Sequence, residues 1–137
     1  MVSAGCSPAR APGDSDKASH YLFVWAGDPD VGDSDFLAVI ELSDPRHPVV
    51  VDELEFGDRA VPHWISLEPS GNRIVLTGGG TLSGQVVMLR IDPESGKLSV
   101  IEDFGGGRVP GVNMDRADWP HGSSGAVRPH GAVFSRS

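Results

Sequence analysis

Short apolar runs separated by turn-forming residues fill the chain from Tyr21 onward. Tyr21–Ala26 (YLFVWA), Phe36–Leu42 (FLAVIEL) and Val49–Phe56 (VVVDELEF) come first. Ser43-Asp44-Pro45 ends the second of these and Gly57-Asp58 the third. His63–Glu68 (HWISLE), Arg73–Thr77 (RIVLT), Gln85–Ile91 (QVVMLRI) and Lys97–Phe104 (KLSVIEDF) follow. Pro69-Ser70-Gly71-Asn72, the glycines 78–80 and Asp92-Pro93-Glu94-Ser95-Gly96 separate them. The runs are rich in β-branched and aromatic residues, which suit a pleated, half-buried surface. No window keeps a helical apolar spacing over ten residues without meeting Gly or Pro, so the pattern predicts strands and no helix. A polar stretch, 105–129, leads to a last run, Gly131–Ser135 (GAVFS). Residues 1–18 are Pro/Gly/Ser/Asp-rich and without period, and are expected to be a disordered tail.

The runs repeat. Leu42-Ser43-Asp44-Pro45 answers Ile91-Asp92-Pro93. Phe56-Gly57 answers Phe104-Gly105, and Val61-Pro62-His63 answers Val109-Pro110-Gly111, both 48 positions on. Pro62-His63-Trp64-Ile65 is answered again by Pro129-His130-Gly131-Ala132. A period near that length with four strands per unit is that of propeller blades. The expected architecture is all-β: a partial β-propeller of about two four-stranded antiparallel blades within 19–137. Residues 61–105 make one blade. Residues 20–57 make the other, which lacks a first strand, and the C-terminal strand, 130–136, is expected to supply it and cover an open edge. Closed propellers use four to eight blades, so self-association, or the missing blades of a longer propeller, are the expected partners.

Composition narrows the function classes. With 18 glycines and 11 prolines among 137 residues, turns are frequent and long helices disfavoured. Net charge is −8 with no Lys/Arg cluster, which argues against nucleic acid and anionic membrane surfaces as partners. No apolar run is long enough for a membrane span. Cys6 is the only cysteine, so the chain can form neither an internal disulfide nor a multi-thiolate zinc site. Val2-Ser3-Ala4-Gly5-Cys6 is placed like the end of a bacterial lipoprotein signal, but too little precedes it for a basic and an apolar region. As written, the sequence reads as cytoplasmic; a start upstream of Met1 would make it an extracytoplasmic lipoprotein.

Three histidines carry the candidate chemistry. His63 and His130 each follow a proline at the start of a blade's first strand, the strand that lines a propeller channel. His121, in Trp119-Pro120-His121-Gly122, precedes the last run. Three imidazoles at a channel mouth are a donor set for copper, iron or zinc. The competing reading is that Pro-His closes a turn, with its imidazole bonded to a backbone carbonyl. His47 lies in a hairpin turn and is expected to be solvated, and His20 borders the tail. Asp28, Asp30, Asp33 and Asp35 lack the bidentate Glu of a calcium loop and read as an acidic loop. The glycine runs 78–80 and 105–107 lack the Lys-Ser/Thr of a phosphate loop. No catalytic residue can be singled out.

One resemblance spans most of 20–137. Pro62-His63-Trp64-Ile65-Ser66-Leu67, Gly71–Thr77, Gly84–Asp92 and Leu98–Gly105 resemble the C-terminal blade of the selenium-binding protein / methanethiol oxidase family. Tyr21–Ile40 resembles its N-terminal blade, and Pro129-His130-Gly131 its histidine-bearing C-terminal strand. The likeness skips the central blades. It implies a propeller with a histidine-bound metal, copper or another transition metal, and an oxidoreductase that oxidises methanethiol, a small-molecule substrate. His63 and His130 fall where the family has Pro-His, with His121 nearby. Pro-His-Gly-x-Val-Phe-Ser is also similar to YVTN and lactonase-like propellers, so a non-catalytic scaffold of that kind, or a truncated remnant, stays open as the alternative.

Overall fold

A computed structural model describes residues 4–6, 21–26, 36–57, 60–80, 82, 84–105, 110–114, 120–122 and 127–135. Within them the chain is all-β, without a helix, and forms two antiparallel sheets. The first holds β1 (Ala4–Cys6), β2 (Tyr21–Ala26), β3 (Phe36–Glu41) and β4 (Val49–Glu55) in that spatial order. The second holds β5 (Ala60–Leu67), β6 (Arg73–Gly80), β7 (Gln85–Ile91) and β8 (Leu98–Val100), and β9 (Val112–Asn113) pairs with the other end of β7. No helix among the described residues is long and apolar enough to cross a membrane.

Alternation builds the core. Register pairs Phe23 with Val39, Leu37 with Leu54, Ile65 with Leu76, Ile74 with Leu89, and Ile91 with Leu98. These side chains fall on one face of each sheet and form a single apolar layer shared by both. Tyr21 of β2 closes one end of it. Its ring lies so near Gly96 (φ 72°) that a Cβ there would meet the ring at 2.7 Å, which explains a glycine at that turn. The turn itself is closed by Asp92, whose carboxylate accepts the N–H groups of Glu94 and Ser95.

The strand expectations hold closely through Ile91. Five details differ, the first being that Val112–Asn113, within the polar stretch 105–129, pairs as β9 with Gln85 and Val86. The glycines 78–80 do not end β6; they extend it opposite Ala60, Val61 and Pro62. β8 stops at Val100, because the chain turns with the Phe104 N–H bonded back to the Ile101 carbonyl. Ala4–Cys6, within the stretch expected to be disordered, pairs with Leu22–Val24. The C-terminal run is not a strand, and it does not complete the first sheet. β1 occupies that edge, and residues 130–132 are held against the second sheet by side chains of β5 and β6 instead. The two sheets do not close into a ring.

Candidate metal centre

β5 is the edge strand of the second sheet, where proline and irregular pairing are tolerated. Pro62 pairs with Gly78, and the next partner of β6, Thr77, faces Trp64. His63 is thus the extra residue of a β-bulge, a device that re-aims a side chain. The consequence is visible in the contacts: neighbouring residues His63 and Trp64 both meet the ring of His130. This face is opposite to the apolar layer, since Ile65 and Leu67 point into the core.

The geometry around His130 is specific. Its Nε2 lies 3.1 Å from Nε2 of His63, with the rings edge-on at 69°. Its carbonyl accepts the Thr77 hydroxyl at 3.0 Å, and the indole N–H of Trp64 donates to the Ala132 carbonyl at 3.2 Å. Gly131 lies against the indole; a Cβ there would sit 3.0 Å from Trp64 Cδ2. Both histidines are exposed, so the pair opens to solvent.

For a hydrogen bond, one Nε2 must carry a proton and the other a lone pair. The same separation suits a shared metal ion. Two nitrogens at metal–ligand distance and at right-angled or tetrahedral geometry stand roughly 2.9–3.4 Å apart. With an ion bound, the donating ring would carry its proton on Nδ1, leaving both Nε2 lone pairs for the metal. Imidazole pairs suit copper, zinc, iron or nickel.

Protein-family models, curated proteins and solved structures give no match to this chain.

Of the residues singled out in the sequence, His63 and His130 are brought together across 67 positions. His121 is an exposed turn residue. Among the described residues no group of three or more His, Cys, Asp or Glu side chains is placed to hold a metal ion, so the trio is not assembled there. Gly111, the place where the repeat would put a further histidine, has φ 108°, and a Cβ would meet the Val86 carbonyl oxygen at 2.7 Å. No histidine fits that backbone.

His47 behaves as expected for a solvated turn. Its Nδ1 lies 2.7 Å from Asp44 Oδ2, and this contact, then the Arg46 N–H, lowers the Asp44 carboxyl below its ordinary value. His20, Trp119 and the acidic loop 28–35 lie outside the described residues. Sequence reasoning missed Thr77 and Trp64 as supports of the pair. Trp64 was visible beside His63, but Thr77 carries no local signal.

Proposed function

We propose that this chain is a transition-metal-binding module of propeller type, with His63 and His130 as two imidazole ligands of one copper or similar ion. The observation that supports it is the 3.1 Å approach of the two Nε2 atoms on an open face. Solvent or substrate would take the remaining positions, since His121, the third donor expected from the sequence, is not grouped with the pair. In line with the resemblance to the selenium-binding protein / methanethiol oxidase family, the ion would be the redox centre for oxidation of a small thiol, with an external electron acceptor taking the electrons. Self-association into a ring is the assembly that goes with it, readable by sedimentation.

The test is metal content. The purified full chain, loaded with Cu²⁺ or Zn²⁺ and desalted, should retain about one ion per chain by elemental analysis. His63→Ala and His130→Ala should each release it. Retention at background in the wild type, or unchanged retention in both variants, overturns the reading. A scaffold role is supported by the same hydrogen bond, which clamps 127–135 to the sheet. In that case the two variants lose stability and no metal is involved.

A further inference from the structure

The two imidazoles sit on unequal supports. His63 belongs to β5, which is laddered to β6 along its length. His130 belongs to 127–135, which is not a strand, and among the described residues no backbone-to-backbone hydrogen bond ties that segment to one. Its attachment runs through side chains of the sheet. The Thr77 hydroxyl donates to the His130 carbonyl, the Trp64 indole donates to the Ala132 carbonyl, and Gly131 rests on the indole between them.

Thr77 is the informative residue. It is 1% exposed, on the face of β6 turned away from the shared apolar layer. With the strap docked the Thr77 hydroxyl is buried and bonded to the His130 carbonyl, so docking exchanges water for a protein partner at Thr77. The bond fixes the backbone of the residue whose side chain must reach His63. Trp64, opposite Thr77 in register, fixes the backbone two residues further on.

We propose that 127–135 is a strap whose docking assembles the metal site, with Thr77 and Trp64 as its positioning residues. This rests on the metal reading of His63 and His130. One ligand is carried by the sheet and the other by the strap, so an ion that needs both binds the docked form better. By linkage, metal must then stabilise docking by the same factor that docking raises metal affinity.

Zn²⁺ affinity by competition titration, and amide hydrogen exchange across 127–135 with and without Zn²⁺, test the coupling on the full chain. Thr77→Val keeps the shape and removes the donor, and Trp64→Phe removes the indole N–H. Each should weaken Zn²⁺ binding about three- to tenfold, the range for one lost hydrogen bond. Thr77→Ser, which keeps the hydroxyl, should restore it. Zn²⁺ should slow exchange of the strap in the wild type and leave it unchanged in His63→Ala. Full affinity in both donor-deleting variants overturns the positioning roles. Zinc bound with no slowing of the strap overturns the coupling while leaving the metal reading intact. No zinc binding by the wild type overturns the metal reading, and the coupling with it.

Discussion

The carboxylate of Asp52 on β4 accepts the backbone N–H of Leu98 on β8 at 2.7 Å, a hydrogen bond that passes from one sheet to the other. Asp52 faces Val39 in register, on the side of the first sheet that meets the second. It therefore fixes how the two sheets sit on each other at the rim of the apolar layer. Removing it leaves a part-buried N–H without a partner. Asp52→Ala should destabilise the chain by about 1–3 kcal/mol in urea unfolding, whereas Asp52→Asn, which keeps a carbonyl acceptor, should lose less than half of that. Equal losses would mean that charge, not the hydrogen bond, joins the sheets.

Strands β2 to β7 were legible because each carries its own signal: alternation, β-branched residues and a turn at either end. The C-terminal run has the same composition and still is not a strand. What decides its place is Gly131 against Trp64 and the His130 carbonyl against Thr77, contacts between residues far apart in sequence that no local pattern reports. The glycines 78–80 mislead for a related reason. Glycine usually interrupts a strand, yet here it extends β6 beside the bulged, proline-bearing edge strand. The repeat of Pro-His marked both members of the histidine pair. That they meet directly depends on the bulge at His63, which alternation alone would not place.

Gly111 links the repeat to the fold. Its N–H bonds to the Phe104 carbonyl, and the chain then pairs Val112 with Val86. Gly111→Ala adds a Cβ against the Val86 carbonyl on top of the positive-φ strain. At Gly57, φ is 86° and nothing lies within 4 Å, so alanine there meets the strain alone. Gly57→Ala should cost about 1–2 kcal/mol. Gly111→Ala should cost clearly more, with loss of amide protection at Val112. Equal costs for the two would remove the steric reason for the missing histidine.

Glu68 closes the turn between β5 and β6. Arg73 donates to its carboxylate through Nε (2.9 Å) and Nη2, and the Ser70 hydroxyl donates at 2.7 Å. The Arg73 bonds first, then Ser70, hold its pKa below the ordinary glutamate value. A carboxyl depressed in the folded state contributes stability above its unfolded pKa and loses it as the pH falls through the folded one. Wild type should therefore exceed Glu68→Gln in stability at neutral pH, and the gap should shrink on acidification. Urea unfolding at a series of pH values reads this directly, and a gap that ignores pH would assign the effect to side-chain shape.

Gly131→Ala tests the strap without touching a histidine. The added Cβ would stand 3.0 Å from Cδ2 and 3.1 Å from Cε2 of Trp64, so the ring or the strap must give by a few tenths of an ångström. Because Trp64 is 41% exposed, the ring can yield, and the core beneath should not register the change. Global stability should fall by less than about 1 kcal/mol, as for other exposed positions. The indole N–H resonance of Trp64, assigned through Trp64→Phe, should shift, because its bond to Ala132 depends on the same contact. Amide exchange over 127–135 should quicken while that of β6 stays unchanged. If the indole resonance and the exchange both stay where they are, Gly131 is not what seats the strap, and the hydrogen bonds from Thr77 and Trp64 hold it without that contact.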